Sequence, residues 1–239
     1  MERRRTVDER EAFRAFERRV RAVEDQSSAP QEGVSRVRLR TTSPAKGLRA
    51  VRDAYEATVM AVPHYGEEYD ETFEQHVHAE FGPELTALLT RGEAFDTQSR
   101  RAVLAAASQA QEKRSRLLDA LDAEQESFAE SAEELRSVIE ELSEYESAQF
   151  PSLSFGTLDA YRARLVVLEE KCNELVDDRQ ETLVNQRRNL SLPIEGPDIP
   201  TYVYQSLRAT YPVVSTAATT VERIDSFRRG VERALSHST

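Results

Sequence analysis

Residues 118–148 read LDALDAEQESFAESAEELRSVIEELSEYESA. Leu121, Phe128, Leu135 and Leu142 recur at every seventh position, and Leu118, Gln125, Ala132 and Ile139 stand three residues before them. This spacing is a heptad seam. No Gly or Pro interrupts the chain between Thr97 and Ala148. The stretch therefore predicts one helix of ~50 residues, ~75 Å long at 1.5 Å per residue. A helix of that length cannot bury its apolar stripe alone, so other helices must lie along it.

Downstream, Phe150-Pro151 and a turn over 152–156 end the long helix, and Thr157 is placed to cap the next one. Its seam is Leu158, Tyr161, Leu165, Leu168, Cys172 and Leu175. Past Asp178 the seam turns polar at Arg179, Thr182 and Gln186, which predicts an end that protrudes or frays. Two heptad helices joined by a short turn predict an antiparallel hairpin. Pro193, Gly196, Pro197 and Pro200 mark a rigid loop, Thr201 to Thr210 a short helix, and Pro212 the start of the last helix, with Val213, Ala217, Val221 and Ile224 on one face.

Upstream, Thr6-Val7-Asp8-Glu9 reads as a capping box ahead of a helix whose stripe is Phe13, Phe16, Val20 and Val23, running to about Asp25. Gln26 to Arg40 is linker-like. Ser43-Pro44 starts a helix that Pro63 stops, Asp70 starts another that Gly82-Pro83 ends, and a short helix runs on to Arg91-Gly92. Phe95 stands ahead of an Asp96/Thr97 cap. The expected organisation is an N-terminal bundle helix over 1–25, a linker over 26–43, a short-helix subdomain over 44–92, and the long antiparallel hairpin with a C-terminal bundle helix over 93–239. The fold class is all-α, an elongated helical bundle.

The chain has 239 residues, 39% hydrophobic and 31% charged, with mean hydropathy −0.61, a polar balance that suits long bundles in which each helix keeps a wide wet face. Net charge is −11, and lysine occurs only at Lys46, Lys113 and Lys171. Acidic, arginine-rich and lysine-poor composition is that of a salt-loving organism, where carboxylates serve solubility first. The charge is unevenly laid out: residues 1–52 carry fourteen basic and eight acidic residues, and residues 53–99 one and eleven. One cysteine, Cys172, excludes an intrachain disulfide and points to a reducing cytoplasm. No apolar run approaches a membrane span, and no apolar stretch follows the basic Met1–Arg5 as a secretory signal requires.

Candidate chemistry concentrates between Pro63 and Glu80. Metal sites need convergent His and carboxylate ligands. Glu74 and His78 are four apart, as are His76 and Glu80, while His76 and His78 face opposite sides of one helix. His64, Glu74, His76, His78 and Glu80 are therefore weak metal-ligand candidates against the plainer reading of a solvated acidic helix. Arg36, Arg38 and Arg40 alternate with apolar residues but lack aromatics, so no nucleic acid is expected. Phosphate loops, GxSxG elbows, HExxH and CxxC are absent from the sequence, so neither a cofactor nor a catalytic residue is expected.

The run Ala50-Val51-Arg52-Asp53-Ala54-Tyr55-Glu56-Ala57-Thr58-Val59-Met60-Ala61-Val62-Pro63-His64-Tyr65, then Glu67-Glu68-Tyr69-Asp70-Glu71, then Ala79-Glu80-Phe81-Gly82-Pro83-Glu84-Leu85, resembles the signature block of an uncharacterised haloarchaeal domain-of-unknown-function family. The N-terminal helix and the heptad hairpin resemble its layout as well. The resemblance implies a helical fold and a halophilic archaeal source. It implies no activity and carries over no site residues.

Two functions are compatible with these signals. One is a non-enzymatic structural or protein-interaction protein that self-associates or takes a coiled-coil partner. The alternative is a ligand- or metal-sensing regulatory domain centred on residues 64–80.

Overall fold

The computed structural model describes residues 2–23, 45–190 and 198–237. The Arg36–Arg40 stretch, the Ser43-Pro44 start and the Pro193–Pro197 part of the rigid loop lie outside the described residues. Eight α-helices and no strand occur among those described, so the protein is all-α. The helices are α1 (Glu2–Ala22), α2 (Ala45–Glu56), α3 (Tyr65–Glu68), α4 (Phe73–Arg91), α5 (Thr97–Glu146), α6 (Phe155–Leu190), α7 (Ile199–Val203) and α8 (Pro212–His237). The chain divides into two units, Met1–Leu118 and Asp119–Thr239.

In the first unit Phe13, Phe16 and Val20 of α1 pack with Val51 and Tyr55 of α2, Val77 and Leu89 of α4, and Val103, Ala107 and Ala110 of α5. Burying each large apolar side chain contributes roughly 1.5–3 kcal/mol. Several helix ends depart from the sequence reading for local reasons. Thr6 does not cap α1; it lies inside the helix and bonds back to the Glu2 carbonyl, which frees Glu9 to turn inward. α2 ends at Glu56 because the Thr58 hydroxyl takes the Ala54 carbonyl, and Val59–Ala61 form a single 3-10 turn. Asp70 adopts a left-handed φ of 44° and starts no helix. The start is a capping box in which Thr72 accepts from the Gln75 amide while Gln75 accepts from the Thr72 amide. Gly82 breaks α4 with φ 82°, after which Pro83 opens its second half.

The second unit buries Leu135, Val138, Leu142 and Tyr145 of α5 with Leu158, Leu165, Leu168, Cys172 and Leu175 of α6 and Val213, Ala217, Ile224 and Val231 of α8. Rising numbers on α5 meet falling numbers on α6: Ser127 meets Arg179, Glu141 meets Arg164, and Tyr145 meets Tyr161. Ser154, not Thr157, caps α6 by accepting the Thr157 amide. Asp198 does the same for α7 by accepting the Thr201 amide, so that helix begins at Ile199, ahead of the expected Thr201.

The seam of α5 also differs from its sequence reading. Leu121 and Leu135 are buried, but the companion positions are Glu124, Ser131, Val138 and Tyr145, three residues later than the leucine row. Of the expected companions Leu118 is buried, Gln125 is exposed, and Ala132 and Ile139 are half-buried. Two polar residues in the true row conceal it from an apolar pattern search. On α6 the seam does not fray past Asp178; Arg179 and Gln186 are buried.

Candidate functional site

Charged side chains on the inward faces of α1, α4 and α5 build one polar centre in the first unit. Glu9 lies four residues before Phe13 and seven before Phe16, so it shares their face of α1. Arg114 follows Val103, Ala107 and Ala110 on α5 at the same three-and-four rhythm. Its guanidinium donates to both Glu80 oxygens at 2.7 and 2.6 Å and, through Nε, to Glu9 Oε2 at 3.1 Å. It also stacks 4.6 Å from the centre of the Phe13 ring. Glu9 Oε1 accepts from the Tyr69 hydroxyl at 2.9 Å and from His64 Nε2 at 3.1 Å. Beside this network Tyr55 Oη lies 2.7 Å from His76 Nδ1, and the His76 ring packs between Tyr65 and Tyr69 at 5.1 and 5.0 Å.

Electrostatics follow from this enclosure. Burial pushes the Tyr55 and Tyr69 hydroxyls well above the usual phenol range, with Glu80 adding to the first and Glu9 to the second. Burial lowers the His76 pKa, outweighing the nearby Glu80 and Glu71 charges. Burial works against the Glu80 carboxylate, yet the Arg114 hydrogen bonds and charge hold its pKa below the ordinary value. The same pairing raises Arg114 against its own desolvation. The centre brings together two acids, a guanidinium, tyrosine hydroxyls and imidazole rings.

The five metal-ligand candidates do not converge. His76 turns inward to Tyr55, His64 reaches Glu9, and Glu80 is held by Arg114. Glu74 is exposed and lies 3.4 Å from Arg91, and His78 is exposed. Among the described residues no group of three or more His, Cys, Asp and Glu side chains is placed to hold a metal ion. Sequence reasoning found His64, His76 and Glu80 but missed Glu9, Arg114 and Tyr55. The available signal was a charged residue standing in the apolar register of its helix.

A family model described as "Domain of unknown function (DUF7260)" matches residues 1–228. The chain belongs to this family. No curated protein and no solved structure matches it.

The DUF7260 match also spans a second polar centre, in the second unit. Glu124 on α5 accepts from Arg179 Nη2 at 2.8 Å, from Gln186 Nε2 at 3.0 Å and from the Tyr204 hydroxyl at 2.9 Å. Arg179 Nη1 donates to Ser127 Oγ at 2.7 Å. Arg179 and Gln186 are one heptad apart on α6, so both reach Glu124 from one face. Tyr204, raised by burial and then by its bond to Glu124, stays protonated and donates. Nearby, Asp198 caps α7 and accepts from Tyr211 at 2.8 Å and Arg187 at 3.2 Å; although burial opposes it, these bonds hold its pKa below the ordinary value. A groove of about 300 Å³ between α5 and α6 is lined by Glu134, Ser137, Lys171 and Asp178, with Cys172 at its floor. Burial, and then Glu169, push the Cys172 thiol up, which is the opposite of what a nucleophile needs.

Proposed function

We propose that this DUF7260 protein is a non-enzymatic helical structural and interaction protein of a reducing, cytoplasmic compartment. One observation carries this reading: the buried charged side chains Arg114, Glu124, Arg179 and Asp198 are each spent on another side chain of the same chain. A catalytic or sensing site keeps a charged or nucleophilic group free to meet its ligand, and these groups instead fix which helices pack and in which register. Interaction is supported by Phe155, Val166 and Val184 of α6, exposed by 62%, 40% and 45%. Their spacings of 11 and 18 residues bring them back to one face of the helix at 3.6 residues per turn. No helix among the described residues is long and apolar enough to cross a membrane.

Light scattering across 0.1 M to molar KCl, with pull-down by the full chain, tests the reading. Self-association or a retrieved helical partner supports it. A monomer at every salt concentration that retrieves nothing overturns it. The metal-sensing alternative predicts that Zn²⁺ or Mn²⁺ raises the melting temperature, and no ligand geometry among the described residues favours it.

A further inference from the structure

Three helix ends meet at one end of the first unit. Arg100 at the start of α5 donates to the Arg21 carbonyl at the end of α1. A Cβ on Gly47, at the start of α2, would lie 2.9 Å from Phe95 just ahead of α5. Around these ends stand Arg18, Arg19, Lys46, Arg49 and Arg101, all exposed and without an ion pair among the described residues. Among the described residues the acidic ones here are Glu17, which holds Arg21 and Gln111, Asp96, which caps α5, Glu93, and Asp53, one helical turn past Arg49. The joining residues 24–44 carry three acidic and three basic side chains. In a chain of net charge −11 this is a concentrated basic surface.

The second unit carries its counterpart. Glu126, Glu130, Glu133, Glu140 and Glu144 are exposed on α5. At 100° per residue they fall within about 40° of one line, opposite the buried row of Leu135 and Leu142. Glu126 to Glu144 spans ~27 Å of helix. Arg136 is the sole basic residue of α5 beyond Leu118, and it pairs with Glu133.

We propose that the basic end of the first unit docks on the acidic outer stripe of α5 in a second copy of this chain. Charge complementarity selects this pairing. Every copy carries both surfaces, arginine forks match carboxylates in geometry, and the strong net negative charge repels copies in every other orientation. Each contact joins two different surfaces, the basic end of one copy and the acidic stripe of the other. The proposal rests on the interaction reading above and names its partner.

The test uses three forms of the full chain in sedimentation velocity, with circular dichroism to verify equal helicity. They are the wild type, R18Q/R49Q/R101Q and E126Q/E130Q/E140Q. The wild type is expected to form concentration-dependent oligomers in 0.1 M KCl. Its dissociation constant rises about tenfold or more in 1 M KCl, where the Debye length falls from ~10 to ~3 Å. Each triple variant alone stays monomeric. Mixed, the two form a 1:1 complex that grows no further, because each supplies the surface the other lacks. A mixture that stays monomeric overturns the proposal, as does a monomeric wild type in 0.1 M KCl. Wild-type-like association of either variant, insensitive to salt, overturns this contact and leaves the interaction reading standing. Retention of the wild type on DNA or RNA, lost in the arginine variant and without self-association, overturns it in favour of a nucleic acid. A monomer at all salts that retrieves no partner overturns both readings.

Discussion

Arg179 and Glu124, 55 residues apart in the chain, meet in a 2.8 Å ion pair with side chains only 4% and 2% exposed. Desolvating two charges costs several kcal/mol, which their attraction offsets only when the remaining hydrogen-bonding capacity is met. Ser127, Gln186 and Tyr204 supply further hydrogen bonds here. Removing one partner strands the other, so Glu124→Ala should destabilise the second unit by about 3–5 kcal/mol. The paired change Glu124→Leu with Arg179→Met should recover most of that loss. Hydrogen exchange in α6 checks both, and equal destabilisation by the single and double changes would contradict the account.

That pair also explains where the sequence was legible. Residues that bury by being apolar, such as Leu135, Leu158, Leu165 and Phe13, announced their helices by spacing alone. Glu124, Arg179, Glu9 and Arg114 sit in the same registers but read as solvent-facing, because a charge buries only with a partner on another helix, and local sequence does not reveal that partner. The difference on α5 follows directly: with Glu124 and Ser131 discounted, the companion row reads as three residues before the leucine row instead of three after it. The α6 end was expected to fray for the same reason. At 64–80 the sequence offers His64 and Glu80 but not their partners, since they are held by Glu9 and Arg114 from α1 and α5. Helix starts at Thr72, Ser154 and Asp198 were missed because the Ser, Thr and Asp side chains that cap helices are common in loops as well.

Arg114 should not tolerate lysine. Its planar fork spans both Glu80 oxygens while Nε reaches Glu9, a geometry that a single ammonium cannot reproduce. Arg114→Lys leaves one buried carboxylate short of a donor and also weakens the stacking on Phe13. The expected loss is about 1–3 kcal/mol. Arg114→Ala, which strands both carboxylates, should cost more. Urea denaturation followed by hydrogen exchange in α1 and α4 measures both, and a lysine variant as stable as the wild type would show that the fork is dispensable.

Among the described residues Gly82 is the one glycine with a left-handed φ, at 82° with ψ 174°, a region that side-chain-bearing residues avoid. Nothing lies within 4 Å of a Cβ placed there, so any penalty is purely conformational. Gly82→Ala should destabilise by about 1–3 kcal/mol through backbone strain. Gly66 has similarly open surroundings and no such φ, so Gly66→Ala serves as the control, with little or no loss. A thermal melt in which both substitutions behaved alike would remove the strain argument.

Acid should weaken the first unit in two steps. His76 has an ordinary pKa of 6.5 that burial lowers in the folded protein, against the pull of Glu80, Glu71 and Glu9. Between the folded and unfolded values only the unfolded chain takes up the proton, so stability is full above about pH 6.5 and falls as pH drops through it. Glu80, ordinarily 4.5, is lowered in the fold despite its burial because Arg114 holds it ionised. Its contribution is full above about pH 4.5 and is lost as pH falls toward the folded value. At the other end, Tyr55 and Tyr69 are raised above 10.0, chiefly by burial, so stability holds below about pH 10 and declines above it as the unfolded phenols ionise. Melting temperature against pH should therefore show a plateau from about pH 6.5 to 10. In His76→Gln the decline just below pH 6.5 should shrink while the decline below pH 4.5 remains. An unchanged profile in that variant would mean that His76 does not set the first step.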